Sequence, residues 1–228
     1  KHIRKLAPAH YMMVRDGKTR LSRYWSLDYE PKRQASIEDL EAELDELLGR
    51  AVARRLVADV PLGVLLSGGL DSSAVVALMR RSGAGEINTF AIGFDQPQYD
   101  ERPYARAVAT AFDTKHHEFV VRPNITELLP RLVYHYNEPF ADSSAVPTWV
   151  LTEMAGRSIT VALSGDGGDE AFLGYDRYAG AVVADQLDRL PEGLRRGIAK
   201  VVGWLPNGSA KTALTRLRRF AGGVDVEP

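Results

Sequence analysis

The 228-residue chain has no cysteine, which excludes a disulfide framework, a thiolate metal site and a cysteine nucleophile together. It has almost no net charge. Its 29 Lys and Arg face 30 Asp and Glu, so no overall field draws it to nucleic acid or to an anionic membrane. Long apolar runs are also missing: residues 60–66 and 74–79 fall far short of the roughly 20 residues that span a bilayer. The basic start Lys1-His2-Ile3-Arg4-Lys5 leads into residues 6–10 without the apolar stretch and cleavage site of a secretory signal. A cytoplasmic chain is expected. With only 12 Pro and 45% hydrophobic residues, the composition excludes a disordered or fibrous polymer. A chain of this size buries roughly 70% of its unfolded surface, enough for a large core without covalent staples.

Residues 1–31 hold two short extended pieces, Tyr11-Met12-Met13-Val14 and Leu21-Ser22-Arg23-Tyr24-Trp25, around the turn-forming dipeptide Asp16-Gly17. They read as a hairpin leading into a main body from residue 32. Ile37, Leu40, Leu44, Leu47, Leu48, Ala51, Val52 and Leu56 then recur at helical spacing, and Ser36 with Asp39 resembles a capping box. A long amphipathic helix follows from that pattern. Beyond it, the apolar run at 61–66 breaks at Ser67-Gly68-Gly69 and resumes as a helix through Ala74, Val75, Leu78 and Met79. Strands at 89–93, 117–121 and 159–163 alternate with helices at 101–111, 125–136 and 147–155. Continuous apolar strands between helices predict an α/β fold, a parallel twisted sheet with helices on both faces. After Tyr178, Leu187, Leu190, Leu194 and Ile198 keep helical spacing. Pro191, Pro206 and several glycines interrupt it, predicting short helices among the basic residues Arg195, Arg196, Lys200, Lys211, Arg216, Arg218 and Arg219.

Two loops carry the chemistry. In Leu65-Leu66-Ser67-Gly68-Gly69-Leu70-Asp71-Ser72-Ser73, two glycines between strand and helix let the backbone approach an anion. The first-turn amides and the hydroxyls of Ser67, Ser72 and Ser73 supply donors. Asp71 would repel phosphate unless a divalent cation lay between them, so a magnesium-bridged polyphosphate reconciles the two. The bland alternative is a tight turn with Asp71 as a helix N-terminal charge. The second loop, Ser164-Gly165-Asp166-Gly167-Gly168-Asp169-Glu170, also follows an apolar strand. At the same end of one parallel sheet, the two loops would face each other across a crevice, letting Asp71 and Asp169 share a metal cluster. A solvated acidic turn is the bland alternative there.

Other motifs are weaker. Gly17-Lys18-Thr19 resembles the end of a Walker loop, but Met12 stands where that loop needs glycine. His116 and His117 are adjacent in a strand and point to opposite faces, which favours structural roles over one shared metal. Trp25, Trp149 and Trp204 read as core or interface anchors.

On these motifs, Ser67-Gly68-Gly69-Leu70-Asp71-Ser72 resembles the pyrophosphate loop of the ATP pyrophosphatase group, whose fold is the adenine nucleotide alpha hydrolase type. The second loop extended through Gly174-Tyr175, with Glu138-Pro139-Phe140-Ala141-Asp142-Ser143-Ser144, Gly93-Phe94-Asp95 and Tyr99-Asp100-Glu101, is similar to the synthetase domain of glutamine-hydrolysing asparagine synthetases. The resemblance covers residues 8–178.

It implies a ligase that joins aspartate to ATP as β-aspartyl-AMP, releases pyrophosphate, and forms asparagine by ammonia attack. ATP and Mg²⁺ are the implied cofactors. By the same resemblance, Ser67, Gly68, Gly69, Ser72 and Ser73 hold phosphates, and Asp71 and Asp169 hold metal. The backbone of Leu65 and Ile92 and the Ser164-Gly165 turn hold adenosine. Asp166, where many relatives carry glutamate, is the catalytic candidate. The implied partners are ATP, aspartate or a related carboxylate, ammonia, and an N-terminal glutaminase domain of a parent chain; nucleic acid and membrane are not expected, and a homodimer is left open. The family's glutaminase uses an N-terminal cysteine, and neither Lys200 nor Lys211 sits in the family's downstream lysine motif. Residues 1–31 are therefore expected to be a linker after a glutaminase, and 32–228 a C-terminally incomplete synthetase domain. A relative of the β-lactam synthetase or amidotransferase kind, acting on another carboxylate, and a nucleotide-binding module without turnover are the alternatives.

Overall fold

A computed structural model of the chain describes residues 3–95, 100–121, 124–138, 140, 142–191, 193, 194 and 197. Tyr99, Pro139, Ala141, Ile198, Lys200, Trp204, Pro206 and Lys211, with Arg195, Arg196, Arg216, Arg218 and Arg219, lie outside the described residues. The chain divides into two compact units, Lys1–Leu47 and Leu48–Pro228.

The first unit contains the expected hairpin. Strands β1 (His10–Arg15) and β2 (Lys18–Arg23) pair antiparallel with Arg15 opposite Lys18. Asp16 and Gly17 both take positive φ, 51° and 69°, as the two-residue turn favoured by strand twist requires. Trp25 anchors no core, being 57% exposed. Helix α1 (Ile37–Arg55) starts at the predicted cap: the Asp39 amide donates to Ser36 Oγ at 3.1 Å, and Ser36 Oγ donates to Asp39 Oδ2 at 2.8 Å. Its apolar stripe is only half used. Ile37, Leu40, Leu44 and Leu47 are exposed, whereas Leu48, Val52 and Leu56 pack into the core of the second unit.

That second unit is built on a parallel sheet of β3 (Leu62–Leu65), β4 (Asn88–Gly93), β5 (Lys115–Val120) and β6 (Val161–Leu163), in the order β5-β4-β3-β6. Helices α2 (Leu70–Arg81) and α3 (Arg102–Ala111) connect β3, β4 and β5 in one direction. The chain then returns through α4 (Ile125–Tyr136) and α5 (Ala145–Ala155) to place β6 on the far side of β3. Period-two alternation separates two cores. Val64, Leu66 and Ala91 pack with Val76, Met79, Ala105 and Ala109 on one face. Phe90 packs with Leu65, Phe119, Leu151, Ala155 and Ile159 on the other. Helices therefore cover both faces, as expected. Beyond β6 come α6 (Gly168–Phe172) and α7 (Asp176–Asp188); the latter is one 13-residue helix where shorter pieces were expected after Tyr178. Among the described residues, no helix is long and apolar enough to cross a membrane.

The two adjacent histidines separate as strand geometry demands. His117 stacks on Phe90 with ring centroids 4.8 Å apart, while His116 Nδ1 lies 2.8 Å from the fully buried Thr89 Oγ1 on the opposite face. Burial holds the His116 imidazole below its ordinary value of 6.5, against the opposing pull of Glu118, whose Oε1 lies 3.3 Å from Nε2. The unfolded chain therefore takes up this proton at a higher pH than the folded one. The stability contributed by neutral His116 is complete above about pH 6.5 and declines as pH falls through and below that value. We expect His116→Gln to flatten this part of the acid limb in a series of thermal midpoints; an unchanged slope would assign the acid sensitivity to other groups.

Candidate active site

The chain reverses its strand-to-strand direction between β3 and β6, and ligands of open α/β sheets bind outside the carboxyl ends of strands at such a switch point. Both glycine-acid loops leave the sheet there. Leu62, Gly63 and Val64 pair in parallel with Val161, Ala162 and Leu163, so residues 66–69 and 164–167 emerge side by side at one end.

The first loop is pre-shaped by its own hydroxyls. Ser67 Oγ accepts from the Gly69 amide at 3.2 Å and lies 3.0 Å from Ser72 Oγ, which donates onward to the Gly69 carbonyl at 3.4 Å. The first turn of α2 closes with the Ser73 amide on the Gly69 carbonyl at 3.1 Å, and Gly69 caps the helix without a side chain. Helix geometry thus leaves the amides of Leu70, Asp71 and Ser72 without an intrahelical acceptor, at the positive end of the helix dipole. Gly68 takes φ +80°, and an added Cβ would collide with the backbone of Tyr104 and Ala105 on α3. Only glycine combines that conformation with that contact.

The second loop presses on the same helix end. A Cβ on Gly165 would stand 2.7 Å from the Ser72 amide nitrogen and 2.8 Å from Asp71 Cβ. On Gly168 it would stand 2.6 and 2.7 Å from the two Asp71 carboxylate oxygens. Two bare glycines therefore seat Asp71 between the loops. Asp169 follows Gly168 directly, its carboxylate lying against Gly174. Neither aspartate side chain has a hydrogen-bond or ion-pair partner among the described residues. Oxygen-only donors of this kind suit Mg²⁺. Among the described residues, no group of three or more His, Asp or Glu side chains has metal-binding geometry, so further ligands would come from phosphate or water. Asp166 is turned onto its own loop, Oδ2 accepting from Ser164 Oγ at 2.9 Å and its amide donating to the same oxygen at 3.4 Å. Nearby, Tyr175 Oη donates to Glu170 Oε1 at 2.7 Å, which holds that carboxyl below the usual range and the phenol above its own.

A cavity of about 550 Å³ opens beside Asp71, with Ser164, Gly165, Asp166 and Gly168 on its polar side and an apolar wall including Leu48 and Val75. Of the residues expected at the site, Asp71, Ser164, Gly165 and Asp166 line this cavity, whereas Ser67, Gly68, Gly69, Ser72, Ser73 and Asp169 do not. Leu65 and Ile92, expected to hold adenosine through their backbone, also lie outside its walls at the ends of β3 and β4. Trp149 packs against His135 and under Arg131, both on α4. Sequence reasoning met Asp100 only as part of the Tyr99-Asp100-Glu101 match and passed over Arg102, Arg106 and Glu118. The four form two forked ion pairs around α3, and Arg106 and Glu118 are recognisable as partners only once β5 is placed beside α3.

Known proteins of similar sequence place the chain in a family. The family model described as asparagine synthase matches residues 43–224. A Methanocaldococcus jannaschii protein provisionally named asparagine synthetase (glutamine-hydrolyzing) 2 is 43% identical over 75% of this chain and 33% of its own length. Asparagine synthetase (glutamine-hydrolyzing) 1 of Bacillus subtilis is 31% identical over 91% of this chain and 33% of its own. Among solved structures, the NH3-dependent NAD synthetase of Campylobacter jejuni overlaps at a TM-score of 0.38 and 13% identity, over 62% of each chain. The chain spans about a third of the length of these two asparagine synthetase relatives. With the matched segment running through both glycine-acid loops, the chain belongs to the asparagine synthase family.

Proposed function

We propose that this chain is the ATP-using part of a ligase that converts aspartate and ammonia to asparagine, within a cytoplasmic polypeptide that also carries a glutaminase domain. The reading is carried by one observation: Asp71 and the N-terminus of α2 lie against Gly165 and Gly168 of the second loop, at the carboxyl ends of neighbouring parallel strands. A triphosphate entering that crevice meets the amides at the start of α2 and the Ser73 hydroxyl, and those of Ser67 and Ser72 reach it by turning from the hydrogen bonds they make within the loop. The backbone of Leu65 and Ile92 and the Ser164-Gly165 turn hold the adenosine end. Asp71 and Asp169 would hold Mg²⁺, which when bound neutralises charge on the departing pyrophosphate.

With the α-phosphorus fixed, the aspartate side-chain carboxylate attacks it and the bond to the β-phosphate oxygen breaks, giving β-aspartyl-AMP and pyrophosphate. Ammonia then attacks the activated carbonyl carbon, the nitrogen loses a proton, and AMP leaves with its bonding electron pair. Asp166, oriented by Ser164, is the acceptor we assign to that proton. Supplied with ATP, Mg²⁺, aspartate and ammonia, the polypeptide that contains this chain is expected to form AMP and asparagine in equal amounts. Formation of ADP in place of AMP would reject the assignment.

A second reading keeps the adenylation and changes the acceptor. Asp166 favours it, since its side chain is one methylene shorter than the glutamate of many relatives and is folded onto Ser164. Pyrophosphate release screened over a set of carboxylates separates the two, with silence toward aspartate and turnover of another acid selecting the second.

A further inference from the structure

Helix α3 has no part in the reaction above, yet it touches the phosphate loop at its most constrained residue. Gly68 rests on the Tyr104–Ala105 backbone so closely that a Cβ would collide with it. The left-handed turn of the loop therefore follows wherever α3 goes. Two forked ion pairs bear on that position, one local to the start of α3 and packed over the end of β4, the other joining α3 to β5. Arg102 Nε and Nη2 donate to Asp100 Oδ1 and Oδ2, each at 2.7 Å. This pair lies directly over Gly93 at the end of β4, where any Cβ would strike both side chains. One turn along, Arg106 Nε and Nη2 donate to Glu118 Oε1 and Oε2 at 2.9 and 2.6 Å, tying α3 to β5. A two-point fork resists both sliding and rotation, which a lysine's single ammonium does not. Asp100 and Arg102 are partly buried, 18% and 23% exposed, so solvent screens their pair less than an ordinary surface bridge.

We infer that Arg102 and Arg106 are positioning residues for the phosphate loop: they fix α3 on the ends of β4 and β5, and α3 in turn fixes Gly68 so that the α2 amides point at phosphate. The inference rests on the reading of residues 67–73 as a phosphate cradle. It predicts an effect confined to the phosphate end of the ligand, because adenosine is held by the strand ends rather than by this loop.

The test is calorimetric titration of the chain with Mg²⁺-pyrophosphate and, separately, with adenosine, alongside thermal midpoints. Arg106→Met is expected to weaken pyrophosphate binding roughly tenfold, the size of effect that contacting pairs show, and to leave adenosine affinity unchanged. The exchanged pair Arg106→Glu with Glu118→Arg should recover most of the loss. Where Arg106→Met does not fold, Glu118→Gln, which conserves volume and keeps one acceptor, serves in its place with the same expectation. Unchanged pyrophosphate affinity in the variants, or equal loss of both ligands, would overturn the inference while leaving the cradle in place. Failure of the unsubstituted chain to bind pyrophosphate would overturn the cradle itself, and the inference with it.

Discussion

Replacing Gly68 by alanine should weaken Mg²⁺-ATP binding by about tenfold or more, because a loop forced out of place carries the phosphate-facing amides with it and about 1.4 kcal/mol is a factor of ten. The substitution carries two penalties. At φ +80° a side chain costs about 1–2 kcal/mol, and the new Cβ collides with the Tyr104 and Ala105 backbone, so either the loop or α3 must move. Gly83 provides the control: its φ is +77°, with open space where a Cβ would go. Gly83→Ala should therefore lower the thermal midpoint to a similar degree as the conformational part of Gly68→Ala, with nucleotide affinity intact. Calorimetry and thermal unfolding on the two variants separate backbone strain from loop displacement. If both retained full affinity, the contact with α3 would have no bearing on the site.

Phe90→Ala is expected to be the most destabilising single substitution in the second unit, at about 3–5 kcal/mol. Phe90 is fully buried at the centre of the sheet, packed on Leu65, Phe119, Ala155 and Ile159 and stacked on His117. Its removal leaves a cavity beneath α5 that the surrounding strands cannot close, since their registers are fixed by ladder hydrogen bonds on both sides. With total stabilities of about 5–15 kcal/mol for domains of this kind, much of the population would unfold under mild denaturant. Leu129→Ala on the exposed face of α4 should shift the urea midpoint little by comparison. A small effect at Phe90 would contradict the placement of β4 in the interior of the sheet.

How much of this was legible beforehand depends on the range over which each feature acts. The hairpin turn at Asp16-Gly17, the cap at Ser36 and the strand-loop-helix around Ser67-Gly68-Gly69 are set by neighbours within a few residues, and all three formed as read. Helix α1 shows where local reading stops. Its periodicity is uniform from Ile37 to Leu56, but nothing in that pattern says that Leu48, Val52 and Leu56 find a core while Ile37, Leu40 and Leu44 stay exposed. Likewise Arg106 and Glu118 are ordinary surface charges in the sequence, and only the adjacency of α3 and β5 makes them a forked pair.

The amino-acid sequence by itself determined the α/β alternation, the two glycine-acid loops and the kinship they signal, because turn chemistry and side-chain periodicity are written over short stretches. Tertiary structure alone decided that Asp71 would lie between Gly165 and Gly168 and that Gly68 would rest on α3. Those contacts join residues tens to nearly a hundred positions apart: the first exists because the chain crosses back over β3 before forming β6, the second because α3 packs beside the end of β3.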